Sequence, residues 1–400
     1  MTTSSSKYIQ IIENIHQELM ICEFSDNIGL HSGTSGIALF IAYYDRVIRQ
    51  NNEVNQKVID ILEHNSRQID FGQTQHTICN GISGFGWLCE HLRRLGMLVR
   101  EDIEFLDDLD SFLYKQMMID IRSGNYDFLH GALGVGTYFL SRLDHKEVLL
   151  YLTELFTELE KSAILCDNGA VKWISVIDSE TGKKGYNISL SHGMSSIAAF
   201  LIRLHYLNFE TETVDRLLTG TVTYILDQNT YTDGSLSHFP SLSIDSSNGD
   251  NYSRLGWCYG DLGIAVILRK ASIALKNDKW ERMAIEILRH SSNRRDLSKN
   301  AVHDAGLCHG SAGIAYIFTN MYLNTKIKEF KAAADYWLNV STQLAKHKDG
   351  FAGFKAWRRE EFGGPQKSYF FLDGIAGIGL ALLSQQNIDE NAWNECLLLS

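Results

Sequence analysis

"AGLCHGSAGIA", residues 305–315, sets Cys308 and His309 directly against Gly310 and Gly313, and an apolar run follows. Alone, the stretch reads either as a metal site or as a buried Cys and His at a helix start. A related stretch, "LGWCYGDLGIA" at 255–265, again places a Cys two positions before the first glycine. The shared pattern is Gly-x-x-Gly, an apolar residue, then Ala or Gly. Full copies start at Gly33, Gly81, Gly131, Gly260, Gly310 and Gly374, and a degenerate copy, "GMSSIA", starts at Gly193. Self-similarity of this kind marks a repeat architecture.

Successive first glycines are 48, 50, 62, 67, 50 and 64 residues apart. A step of about 50 residues holds two helices of about 15 residues and their connections. The text after each motif, such as "SGIALFIAYYDRVI", is apolar around most of a helix circumference and predicts a buried helix. The text between motifs, such as "EVLLYLTELFTELEKSAI" and "DKWERMAIEILRHSS", is amphipathic and predicts a half-exposed partner. The reading is all-α, seven helix pairs. They either stack as an open solenoid or close into a ring with the glycine ends at one mouth. The three long steps carry insertions near 166–188, 230–253 and 347–370. The first has hairpin signals and the others read as polar loops. No linker divides residues 1–400, so a single domain is expected.

The chain is 44% hydrophobic and 21% charged, with a formal net charge of -11. That balance speaks against a nucleic-acid partner, which calls for a basic face. The start lacks a secretory pattern, and no apolar run is long enough for a membrane span. Seven scattered cysteines then suggest a reducing cytoplasm rather than a disulfide framework. With two prolines in the whole chain, little interrupts the helices.

Polar side chains cluster just before the glycines: Ser32, Asn80, His130, His192, Tyr259, His309 and Asp373. One position earlier stand His31, Cys79, Ser191, Cys258 and Cys308. A lone His at such a place is more often a helix-start partner than a ligand. Cys258 and Cys308, however, share a register in adjacent repeats, with His309 beside the second. In a ring these three can meet. Two thiolates and an imidazole suit zinc, and three protein ligands leave a fourth position open, as at catalytic zinc. The spacing is not that of a zinc finger. Cys79 shares the register without an adjacent His and reads as a core or cavity cysteine. Cys22, Cys89, Cys166 and Cys396 read as structural.

With "WCYG" at 257–260, "CHG" at 308–310, "SHG" at 191–193, "YDFLHG" at 126–131 and the seven glycine motifs, the sequence resembles the lanthipeptide (lanthionine) cyclase family, LanC-like, over roughly residues 28 to 385. The resemblance implies an α/α toroid, a double-layer helical barrel, with zinc held by Cys258, Cys308 and His309. It implies an active-site His at His192, Asp at Asp127, Arg at Arg254 and Tyr at Tyr259. It further implies a reaction in which a peptide Cys thiol adds to dehydroalanine or dehydrobutyrine of a dehydrated precursor peptide, forming a thioether. A lanthipeptide dehydratase and an export transporter are its candidate partners, and a complex with them would place a cytoplasmic protein peripherally at the membrane. Two departures touch loop shape rather than reactive groups: Ser196 replaces the second glycine of the fourth motif, and Leu262 stands where relatives often carry Pro.

Within this chemistry, His192 is the candidate acid and Asp127 its orienting group. Arg254 either holds the enolate oxygen or peptide backbone, or pairs with Asp127. Tyr259 packs or hydrogen-bonds beside the metal. Rival readings are a relative adding thiols of glutathione or damaged proteins, and a non-catalytic helical scaffold. A glycosidase of the same fold would need two facing carboxylates, and the Cys/His set would go unexplained.

Overall fold

Each of the seven motif glycines is the residue from which a helix starts. The computed structural model describes residues 3–178, 180–246, 251–386 and 392–400. Its helices are α1 (Thr3–Met20) and α2 (Thr34–Tyr44), α3 (Gln56–Arg67) and α4 (Ile82–Arg94), α5 (Leu106–Ser123) and α6 (Ala132–Leu140). There follow α7 (Val148–Lys161) and α8 (Met194–Tyr206), α9 (Thr211–Asp227) and α10 (Asp261–Ala274), α11 (Asp278–Ser292) and α12 (Ser311–Thr325), and finally α13 (Lys328–Leu344) and α14 (Ile375–Leu383). Every even-numbered helix begins directly after Gly33, Gly81, Gly131, Gly193, Gly260, Gly310 or Gly374.

The two kinds of helix expected from periodicity are both present. All residues of α2, α6 and α14 are buried. By contrast, α7 buries only Val148, Leu152, Leu155, Phe156 and Leu159, a single stripe. The spacing i, i+4, i+7, i+8, i+11 is that of one helix face. Pairs form as expected for α2 with α3, α6 with α7, α8 with α9, α10 with α11, and α12 with α13.

The second motif glycine is required by close approach. A Cβ on Gly313 would stand 1.9 Å from the carbonyl oxygen of Leu307, and one on Gly377 1.8 Å from that of Phe371. Both oxygens belong to the residue six before, so the incoming loop lies on the first helical turn. In the fourth repeat Ser196 is accommodated, and its Oγ donates to the carbonyl of Gly193 at 2.7 Å.

Contacts divide the chain into two compact units, Met1–Leu113 with Val302–Trp393, and Tyr114–Ala301 with Asn394–Ser400. Inside the first, backbone bonds link the pre-helical loops in series. Cys308 N–H donates to Leu372 (2.9 Å), Leu372 to His31 (3.0 Å) and His31 to Cys79 (3.1 Å). Inside the second, Leu190 N–H donates to the Cys258 carbonyl at 3.1 Å. Backbone in a non-helical loop is thereby satisfied by its neighbour repeat.

The first insertion holds two antiparallel hairpins rather than one. Strands β1 (Ile164–Leu165) and β2 (Val171–Lys172) form the first, and β3 (Ser175–Asp178) and β4 (Lys183–Gly185) the second. Trp173, between β2 and β3, is buried and its indole donates to the Leu159 carbonyl at 2.8 Å. That anchor splits the alternating run. Ser179 and residues 247–250, in the first two insertions, lie outside the described residues. The third insertion carries only isolated bridges, Phe351 with Phe354 and Ala356 with Gln366. Among the described residues no helix is long and apolar enough to cross a membrane.

Candidate active site

The "WCYG" loop is shaped by Gly260, whose φ of 84° lies in the left-handed region. A side chain there would also strike Ser253 Oγ at 2.1 Å. The turn exposes the loop's Cys258 carbonyl to Leu190 and Ser191, both of whose backbone N–H groups reach it. Trp257 is buried, and its indole donates to the Leu397 carbonyl at 2.8 Å. The C-terminal residues thus brace the position next to Cys258.

Beneath this loop lies a buried ion pair. Arg294 Nη1 meets Asp261 Oδ2 at 3.1 Å, with both side chains almost fully enclosed. Asp261 also accepts the backbone N–H of His238 and Phe239, and Arg294 donates to the Ser253 carbonyl (2.7 Å) and Asn300 Oδ1 (2.8 Å). The pair ties the second insertion and the Ser253 turn to the start of α10. Asp261→Ala leaves Arg294 buried without its counter-charge, and an expected loss of about 3–5 kcal/mol follows. A urea unfolding midpoint unchanged from wild type would refute this structural assignment.

Cys308 and His309 sit on a loop organised by Asp304. Its Oδ1 accepts the Gly306 N–H at 3.0 Å, its carbonyl accepts Ser311 N–H at 3.0 Å, and its Oδ2 accepts the Trp357 N–H at 2.8 Å. The same turn recurs at Asn27 and Asn187, whose Oδ1 atoms accept from Gly29 and Ser189. An Asx turn of this kind fixes a loop locally. An Asn or Asp six residues before the motif glycine is a sequence signal that the glycine pattern alone does not reveal.

Ligand atoms of Cys258, Cys308 and His309 lie within 4.8 Å of one another. Cys258 is buried, and Cys308 and His309 are half-buried. No disulfide joins the cysteines. Two sulfurs and one imidazole at this separation form a possible metal site, and the donor set is the soft S/N set suited to zinc.

His192 and Asp127 form the second element. His192 Nδ1 donates to Asp127 Oδ2 at 2.6 Å, and Asp127 Oδ1 accepts the His130 backbone N–H at 2.7 Å. Burial opposes charge on His192, but the hydrogen bond and negative charge of Asp127 outweigh it and raise its pKa. Burial likewise pushes Asp127 up, and its bonds to His192 and His130 overcome this and hold it below the usual carboxylate value. The pair therefore favours imidazolium beside carboxylate.

The two remaining candidates sit nearby in the chain. The Tyr259 ring lies 6.0 Å from that of His192, tilted at 41°. Arg254 is half-buried, and among the described residues no ion pair joins it to Asp127. The partners of the Asp127 carboxylate are instead His192 at Oδ2 and the His130 N–H at Oδ1. Of the other cysteines, Cys79 is buried with its Sγ 3.4 Å from Ser32 Oγ. His130, in the same pre-glycine position as His192 and His309, receives no role from the motifs alone. Its ring stacks on His192 at 6.0 Å and 15°, and burial depresses its pKa.

The lanthionine synthetase C-like protein family matches residues 25–398. The chain belongs to this family, and with it to the class of lanthionine cyclases. The nisin biosynthesis protein NisC of Lactococcus lactis subsp. lactis is 22% identical over 396 residues, spanning 92% of this chain and 88% of that protein. The solved structure of a nisin cyclase superposes with a TM-score of 0.74 at 20% identity, covering 98% of this chain and 97% of the other. The likeness establishes an α/α toroid rather than an open solenoid.

Proposed function

We propose that the protein is a zinc-dependent lanthipeptide cyclase, adding peptide Cys thiols to dehydroalanine or dehydrobutyrine to make lanthionine or methyllanthionine. The observation that carries this reading is the grouping of Cys258, Cys308 and His309 in a member of the lanthionine synthetase C-like family. Cys258, Cys308 and His309 would hold the metal and leave one position for a peptide sulfur. Zinc bound there supplies a thiolate at neutral pH, because a coordinating thiol is deprotonated.

In the addition, the sulfur bonds to the alkene's β-carbon and the displaced π electrons form an enolate. The α-carbon then needs a proton. His192 supplies it: Nδ1 is held by Asp127, which leaves Nε2 to carry the transferable proton. Asp127 keeps the ring oriented and favours its charged form. Arg254 would hold the enolate oxygen or the peptide backbone. Tyr259, whose ring lies beside His192, would pack or hydrogen-bond beside the metal.

The reading takes residues 1–400 as one toroid domain and sets the protein in the cytoplasm. A dehydratase must act first, since the alkene is its product, and the dehydratase and an export transporter are the partners this order of steps suggests. The test incubates purified protein with a dehydrated Cys-containing peptide and follows free thiol by alkylation and mass spectrometry, since ring closure leaves mass unchanged. Loss of alkylatable thiol is expected. A parallel arm offers glutathione to a Cys-free dehydrated peptide. Addition there without ring closure would favour the general thiol-adding alternative.

A further inference from the structure

A cavity of about 360 Å³ is lined by His192 and Asp127 together with the β3–β4 hairpin and the residue before it. The wall residues that matter are Ile174, Val176 and Lys184. Ile174 is 43% exposed and Val176 53% exposed. They are two apart, so on extended backbone they project from the same side. Lys184 pairs directly with Val176 across the hairpin, and directly opposed residues share a face. Among the described residues no carboxylate pairs with Lys184. Two aliphatic side chains and an unneutralised ammonium therefore line the same cavity as His192 and Asp127.

Nothing in the fold requires this arrangement. The hairpin's anchor is Trp173, which is buried. What marks Ile174 and Val176 is that their exposed aliphatic side chains line a concave site beside polar groups, the make-up of a ligand pocket. Because His192 and Asp127 line the cavity, a substrate held for proton transfer at His192 borders it. The residue beside the acceptor alkene must lie within a few ångströms of His192 when its α-carbon is protonated.

We infer that Ile174, Val176 and Lys184 form a specificity subsite for the residue flanking the dehydroamino acid, accepting an aliphatic side chain and favouring an acidic over a basic one among charged residues. The inference rests on the cyclase reading above. The subsite acts by binding rather than by chemistry, so it changes KM more than kcat.

The test uses synthetic peptides with one Cys and one dehydroalanine at a fixed spacing, differing only in the flanking residue: Leu, Asn, Glu or Lys. With wild type, KM is expected to be lowest for the Leu peptide and lower for Glu than for Lys. Ile174→Asp should raise KM for the Leu peptide about tenfold, the scale of a lost apolar pocket contact, while kcat and the Asn peptide stay near wild type. Lys184→Glu, at an exposed position, should reverse the Glu–Lys preference by about threefold or more. Turnover of the Asn peptide and an unchanged metal content show that each variant is folded. Equal KM values for all four peptides, or variant KM ratios matching wild type, overturn the subsite and leave the cyclase reading standing. Failure of wild type to close any of them, with the dehydrated natural-type peptide also unreacted, overturns the cyclase reading and the subsite with it.

Discussion

His192→Ala is expected to keep its metal and to lose cyclisation by about 10²- to 10⁴-fold, the usual cost of removing a positioned general acid. The separation of the two effects follows from position. His192 directly precedes the fourth glycine motif, and its Nδ1 is committed to Asp127, whereas the proposed metal donors precede the fifth and sixth motifs. Removing the imidazole leaves Cys258, Cys308 and His309 intact. It removes the group proposed to protonate the enolate and leaves Asp127 without the partner that holds its pKa down. The measurement is elemental zinc content beside thioether formation on one dehydrated peptide. A variant that retains zinc and cyclises at the wild-type rate would show His192 to be a helix-start residue, with the proton delivered elsewhere. A Asp127→Asn variant should lie between the two, since the ring remains but loses its charged orienting partner.

Cys308→Ala is expected to lose metal and activity together. With three protein donors, removal of one leaves a Cys and a His, a set that no longer satisfies a tetrahedral zinc site. Wild type should carry about one zinc per chain and Cys308→Ala little or none. The fold should survive, because Cys308 is tied into its loop through backbone: its N–H donates to Leu372, a bond that alanine also makes. Circular dichroism then reports a helical protein with an empty site. Zinc content equal to wild type would remove Cys308 from the ligand set.

Much of this was readable in the chain. The motif glycines placed all seven buried helices, because close approach of a loop to a helix start excludes a Cβ at Gly313 and Gly377, and that exclusion is written directly in the sequence. The division into fully buried and striped helices was readable for the same reason: burial follows hydrophobic period. The shared register of Cys258 and Cys308 was visible because repeats preserve position. What escaped was the pairing of groups that no period connects. Asp261 and Arg294 are 33 residues apart and carry no common motif, yet they share one buried network. The indole of Trp257 is satisfied by Leu397, 140 residues on. The first insertion read as one hairpin because alternation is a local signal, whereas its splitting depends on where Trp173 finds a buried acceptor.

The sequence by itself therefore determined the repeat, the helix type at each position and the chemistry available beside the glycines, all of which depend on local spacing and side-chain identity. The tertiary structure decided which of those groups lie together: that Asp127 pairs with His192, that His130 stacks on the same ring, and that Ile174, Val176 and Lys184 line one cavity with them. These are contacts between residues tens of positions apart, selected by how helices and loops pack, and a one-dimensional pattern has no term for them.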